Sequence, residues 1–171
     1  MPADRPVIFY DVEASGLYEG SYPIEVGWAI VRPDGSITTD AMLITPISSW
    51  IGWSSEAEEI HGITRHMLSD LGRPIAEVVD RLDQVFCDYV VLSDYPPADE
   101  AWTDRLYAAA GRTRRFRIAD AEFVLNFAAS TAADHHWLAA HLSDTRLHRA
   151  DADARVLAEA YVELMSRRAQ R

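Results

Sequence analysis

An apolar run near the start of the chain ends in two carboxylates. The segment Val7-Ile-Phe-Tyr-Asp11-Val-Glu13-Ala14-Ser15-Gly16-Leu17 begins as a strand fit for burial and finishes in Asp11 and Glu13. Residues i and i+2 of a strand point to one face, so both carboxylates project together where strand gives way to loop. Anions held side by side repel, and burying either is costly unless a cation compensates. A hard divalent ion such as Mg2+ takes oxygen ligands and suits such a pair. The spacing alone is a weak signal, because Asp120-Ala-Glu122 repeats it where a helix is expected to start.

A second feature lies near the C-terminus, in His148-Arg-Ala-Asp-Ala-Asp153; of the six histidines only His148 has an aspartate five positions later. Positions five apart on a regular helix point about 140° apart. The two converge only if His148 lies in a loop and Asp153 in the first turns of the helix behind it. Imidazole titrates near neutral pH, so a histidine beside a metal ligand suits a general base. The competing structural reading is a surface histidine and a helix-starting aspartate.

Composition removes several other chemistries. The chain has a single cysteine, Cys87, which excludes an internal disulfide framework and a cysteine-based zinc cluster and reads as a small buried hydrophobe. Every basic side chain is arginine, so phosphate-loop lysine and Schiff-base chemistry are both absent. A net charge of -11 argues against gripping long nucleic acid through a general basic surface. The local exception is Arg112, Arg114, Arg115 and Arg117, which either touch phosphates or form a solvated loop before a strand. The start, Met1-Pro-Ala-Asp-Arg-Pro6, lacks a signal-peptide pattern, and no apolar run approaches the roughly 20 residues of a membrane span. These features lead us to expect a cytoplasmic protein with no membrane contact. At 171 residues and 49% hydrophobic content, residues 1–171 are expected to form one domain with a sizeable core.

The elements that must position these groups follow from periodicity. Ile24, Val26, Trp28 and Ile30 alternate as a second strand, and Arg32-Pro-Asp-Gly35 turns the chain into a third over Ile37 to Ile44. Ser54 or Ser55 caps short helical pieces. Pro74 opens a helix with a stripe of Ile75, Val78, Val79, Leu82, Val85 and Phe86. Tyr89 to Ser93 reads as a buried strand, Pro96-Pro97 leads into a helix from Ala98 to Ala110, and Phe116 to Ala119 reads as a fifth strand. The remainder is helical, ending in a long segment from Arg149 to Arg168. The expected fold is α/β, a five-stranded sheet of mixed direction whose first three strands form an antiparallel meander, flanked by helices.

In this setting the chain resembles the DnaQ-like 3'-5' exonuclease superfamily, in its DEDDh branch, with an RNase H-like fold. Asp11-Val-Glu13-Ala-Ser-Gly-Leu17 matches the first motif of that family, and His148-x-Ala-x-x-Asp153-Ala-x-x-Leu157-Ala-Glu-x-Tyr161 is similar to the third. Ile60-His61-Gly62-Ile63-Thr64 is similar to a His-Gly-Ile signature found between them. The second motif departs: where the family has His-Asn-x-x-Phe-Asp, this chain has Asp94-Tyr-Pro-Pro-Ala98-Asp99. Asp99 falls at the family's aspartate, near the positive end of a helix dipole, while Asp94 takes the histidine position and remains a rival ligand.

The resemblance implies metal-dependent hydrolysis of phosphodiester bonds from a free 3' end of DNA or RNA, releasing nucleoside 5'-monophosphates. Two divalent ions, Mg2+ or Mn2+, about 3.5–4 Å apart would serve the reaction. By that resemblance Asp11 bridges the ions, Glu13 and Asp153 complete one site, Asp99 supports the other, and His148 activates the nucleophile. Ala14 and Ser15 would lie by the terminal 3'-hydroxyl, Leu17 would wedge against the last base or pack in the core, and His61 would contact the terminal sugar or serve as a turn residue. Trp50, Trp53 and Trp102 either stack on bases or pack internally, and His135, His136 and His141 read as structural or solvated. Short or single-stranded substrates and a possible homodimer are expected. The competing reading is a catalytically weak nucleic-acid-binding or polymerase- or nuclease-associated subunit that retains the exonuclease fold.

Overall fold

The computed structural model describes residues 6–87, 89–144 and 148–171. The reading of residues 1–5 as free of a signal-peptide pattern concerns a segment outside these. The chain runs β1 (Val7–Ala14), β2 (Pro23–Val31), β3 (Ile37–Leu43), α1 (Ser55–His61), α2 (Arg65–Leu71), α3 (Ile75–Phe86), β4 (Val90–Ser93), α4 (Pro96–Ala109), β5 (Arg117–Asp120), α5 (Ala121–Ala128), α6 (Ala132–Asp144) and α7 (Ala150–Ala169). The five strands lie in the order β3-β2-β1-β4-β5. The β1–β2 and β2–β3 pairs are antiparallel, whereas β1–β4 and β4–β5 are parallel. This is the mixed sheet with an N-terminal meander that the alternating patterns predict.

The period of β1 divides its side chains between two cores. Ile8, Tyr10 and Val12 face a cluster that includes Trp28, Val79, Leu82, Phe86 and Leu106, under α3 and α4. Phe9 faces the other cluster with Ala29, Leu92, Leu125, Ala154 and Ala158, under α5 and α7. Asp11 and Glu13 continue the Phe9 series by period, so they emerge on the α7 side just where burial ends. The ladder with β2 shifts register between Glu13 and Ala14, which releases the chain into the following loop.

Turns and caps follow local chemistry. Gly35 takes a φ of 81° in the β2–β3 turn, where Gly35 N donates to Arg32 O at 2.9 Å and Ser36 N to Asp34 Oδ1 at 2.9 Å. Ser54 caps α1 by accepting from Ala57 N at 3.1 Å, and Thr64 caps α2 by accepting from Met67 N at 3.1 Å. Asp120 caps α5 by accepting from Glu122 N at 2.7 Å, which accounts for the second Asp-x-Glu as a helix start rather than a site.

Several expectations are adjusted. Pro74 is the cap residue before α3 rather than its first helical residue, and β5 begins at Arg117 because Phe116 turns into the core against Phe86 and Tyr107. Cys87 caps the C-terminal end of α3 and is half-buried rather than buried. Arg112 and Arg114 do not form an open basic patch. Arg112 pairs with Asp80 at 2.5 Å and with Asp83, and Arg114 pairs with Asp104 at 2.9 Å and with Glu100 at 3.4 Å. Trp50 is buried and stacked on Tyr22 with ring centroids 5.3 Å apart, Trp53 donates to Glu58 Oε2 at 2.6 Å, and Trp102 packs on the core. Among the described residues no helix is long and apolar enough to cross a membrane.

Candidate active site

The C-terminal ends of the parallel pair β1 and β4 bring the acidic residues together. Phe9 of β1 pairs with Leu92 of β4, and two residues further on Asp11, still in β1, meets Asp94, which lies just past the end of β4. The first turn of α4 supplies Asp99 from the α3–α4 side, and the first turns of α7 supply Asp153 from the opposite side. One ligand atom from each of Asp11, Asp94 and Asp99 lies within 4.8 Å of the others, and the same holds for Glu13, His148 and Asp153. A cavity of about 40 Å³ joins the two groups, lined by Asp11, Asp94 and Asp153 together with Leu142, Val156 and Leu157.

Asp99 is 4% exposed and is held by local donors. Ser93 Oγ, itself buried, donates to Asp99 Oδ2 and accepts from Tyr95 N at 2.9 Å, and a backbone hydrogen bond from Val12 reaches the same carboxylate. Burial nevertheless dominates and, with the neighbouring charges of Asp94 and Glu13, pushes Asp99 up to about 7 against these donors. Burial also raises Asp11 well above the usual carboxylate range, reinforced by Asp99, Glu13, Asp94 and Asp153. Crowded carboxylates with raised values are groups that a cation would relieve. The oxygen-rich donor set, with one imidazole, fits divalent ions.

His148 stands immediately before the helix that carries Asp153, as the convergence argument requires. Its φ of 50° lies in the left-handed region, uncommon for a residue with a side chain. A feature that sequence reasoning missed lies one strand away. Glu25, opposite Glu13 in the ladder and 1% exposed, accepts from Arg149 Nη2 at 2.6 Å and from Ala150 N at 3.0 Å. Its position inside the alternating β2 pattern was the only available signal: a charged residue between apolar neighbours. Ser93 was missed for the same kind of reason, since a serine ending a strand looks like ordinary punctuation.

The remaining site residues separate by exposure. Leu17 is 92% exposed, so it does not pack in the core. Ala14 and Ser15 are buried, and Ser15 is fully engaged: its N donates to Tyr22 O at 2.8 Å, its Oγ accepts from Tyr22 N at 3.0 Å, and its carbonyl accepts from Ser54 N at 2.8 Å. Ser15 therefore anchors the loop that presents Leu17. His61 ends α1, with Gly62 in the left-handed conformation behind it. His61 Nδ1 accepts from Ile63 N at 3.0 Å, which leaves the proton on Nε2; that buried atom has no partner among the described residues. Burial lowers the His61 value from its ordinary range despite the nearby Glu58 and Glu25. His141 stacks on Trp137 with centroids 4.8 Å apart, and His135 and His136 are exposed on α6 and belong to neither group of clustered ligands.

No family model matches the sequence, and no curated protein matches it. Solved structures do match in fold. The zinc-bound E. coli exonuclease I complex with single-stranded DNA is 14% identical, with a TM-score of 0.73 over 98% of this chain and 42% of that one. E. coli exonuclease I with a dA16 oligonucleotide is 15% identical, with a TM-score of 0.69 over 95% and 42%. An exonuclease I from Methylocaldum szegediense is 17% identical, with a TM-score of 0.64 over 96% and 41%. The chain thus spans about two-fifths of the length of these proteins. Across that span it has the RNase H-like fold of the exonuclease I structures.

Proposed function

We propose that the chain is a metal-dependent 3'-5' exonuclease acting on nucleic acid with a free, single-stranded 3' end. The observation that carries this reading is the convergence of Asp11, Asp94 and Asp99 beside Glu13, His148 and Asp153 at one end of β1 and β4. Its support from the fold is that similar structures include E. coli exonuclease I bound to single-stranded oligonucleotides.

Divalent ions, Mg2+ or Mn2+, would supply Lewis acidity that stabilises the attacking and leaving oxygens of an in-line displacement. Asp11, Glu13, Asp99 and Asp153 would hold those ions, with Asp94 beside Asp11. His148 takes the proton of the attacking water, and its loop position next to Glu13 and Asp153 suits that transfer. His61, whose buried Nε2 has no partner among the described residues, serves the sugar of the terminal nucleotide once its side chain shifts outward to expose that N–H. Leu17 presses on the last base, and the backbone at Ala14 and Ser15 shapes the wall beneath it. The product is a nucleoside 5'-monophosphate.

The test is degradation of 5'-labelled single-stranded DNA, duplex DNA, RNA and dinucleotides by purified protein with Mg2+ or Mn2+. A ladder receding from the 3' end is expected, and His148→Ala is expected to slow it about 10²–10⁴-fold, the usual contribution of a general base. Full activity in His148→Ala, or no shortening of any polymer by the wild type, sinks the reading.

A further inference from the structure

Glu25 is a carboxylate beside the metal-binding groups that does not join them. It faces Glu13 across the β1–β2 ladder and is 1% exposed, yet neither convergent group of possible ligands includes it. It turns instead toward the start of α7. Arg149 Nε donates to its two oxygens at 3.0 and 3.2 Å, Arg149 Nη2 donates at 2.6 Å, and Ala150 N donates at 3.0 Å. Those donors belong to the residue that follows His148 and to the first residue of α7.

Two further features give the contact its meaning. Arg149 is the cap residue of α7, with φ -135° and ψ 127°, and makes no side-chain cap bond. Serine, threonine, aspartate or asparagine usually fills that role from within the chain segment; here a carboxylate from β2 accepts the first helical N–H instead, where the helix dipole favours an anion. The backbones can approach this closely because residue 27 is glycine: a Cβ on Gly27 would lie 2.2 Å from Asp151 N and 2.3 Å from Ala150 C. Immediately upstream, His148 holds its left-handed φ of 50°. Such a conformation persists where its surroundings fix it.

We infer that Glu25 and Arg149 are a positioning pair: the fork between them clamps the start of α7 onto β2 and thereby fixes His148 and Asp153 against Glu13. A guanidinium bound through two nitrogens defines direction as well as distance, which a single ion contact does not. The pair also accounts for a sixth carboxylate beside this site standing outside both groups of clustered ligands: its oxygens are already filled by donors. The inference rests on the nuclease reading above.

The test compares the full chain with Glu25→Ala, Glu25→Gln, Arg149→Ala and the Glu25→Ala/Arg149→Ala double variant, each checked by circular dichroism and thermal melting. Glu25→Ala is expected to lower kcat about 10²-fold, the scale set by ångström misplacement of catalytic groups, with KM for a single-stranded oligonucleotide held within about threefold. The double variant is expected to be no slower than Glu25→Ala alone, because the two residues act as one unit. Glu25→Gln keeps an oxygen for Ala150 N and is expected to recover part of kcat. Calorimetric titration is expected to show Mn2+ binding about 10-fold weaker in Glu25→Ala, independent of turnover.

Wild-type kcat and Mn2+ affinity in a folded Glu25→Ala protein overturn the inference. So does a rise in KM at unchanged kcat in Arg149→Ala, which would make Arg149 a substrate contact, or a loss confined to the melting temperature. If Glu25→Ala does not fold, Glu25→Gln and Arg149→Ala decide between the same outcomes. If the wild type degrades no oligonucleotide, the nuclease reading fails separately and the Mn2+ affinities alone decide the clamp.

Discussion

Asp99 shows how a single side chain can be poised for a cation. Its surroundings pull in opposite directions, with burial and Asp94 raising its value while Ser93 and the Val12 backbone lower it. Removing one donor exposes that balance. Ser93→Ala should move Asp99 above about 7, read by carboxyl titration in the metal-free protein, and should reduce stability by about 1–3 kcal/mol, the scale for a buried group left short of a partner. An unchanged titration would mean that the Ser93 contact does not govern Asp99. Asp94 presents a different question, because it stands where the resembled family has histidine and its carboxylate reaches the Asp11–Asp99 group. Asp94→Asn should weaken Mn2+ binding by about 10- to 100-fold if it supports the ion directly or through one neighbour. Calorimetry reads that change without any substrate, and unaltered affinity would remove Asp94 from the site.

At the scale of elements, α7 bears most on the proposed site because its first turn must arrive at one place on β2. Gly27→Ala is the sharpest probe: the added Cβ meets backbone atoms of Ala150 and Asp151, so the helix must shift rather than a side chain rotate. Overpacking of that kind costs about 1–3 kcal/mol, which urea unfolding should report, and the displaced helix should lower kcat as well. Retained stability would show that α7 can move at no cost. These elements also mark what the sequence could reveal. The strand β1, the β2–β3 hairpin, α3 and α7 were legible because each has its own period, turn or cap; strand and loop geometry paired Asp11 with Glu13 and His148 with Asp153, whereas only the family resemblance set the two pairs side by side. Glu25 was not legible: its partner lies 124 residues away, and no local pattern distinguishes a buried carboxylate that caps a distant helix. The arginines near residue 114 left two readings open, since nothing in the run itself shows that α3 and α4 supply carboxylates to Arg112 and Arg114.

For the whole molecule, the clustered carboxylates couple folding to pH, and as the proposed metal site they would couple it to metal as well. In the metal-free folded protein Asp99 holds its proton to about 7, whereas its ordinary value is 3.8, so between these limits the folded state binds more protons than the unfolded one. Stability attributable to this group is therefore fully present below about 3.8 and falls as pH rises toward about 7, beyond which it stays low. Asp11 shifts in the same direction and adds to the trend. A divalent ion that binds only the folded state reverses it, stabilising by about 2.7 kcal/mol when present at a hundred times its Kd. Because protons and the ion compete for the same oxygens, the rise in melting temperature on adding Mn2+ should be larger at pH 8 than at pH 5. Binding near pH 7 should also release protons, detectable as a dependence of the calorimetric heat on the buffer's ionisation enthalpy. Equal melting shifts at the two pH values, with no buffer dependence, would mean that the ion does not displace protons from Asp11 and Asp99. The raised carboxylates would then be a consequence of burial alone and not the signature of a metal site.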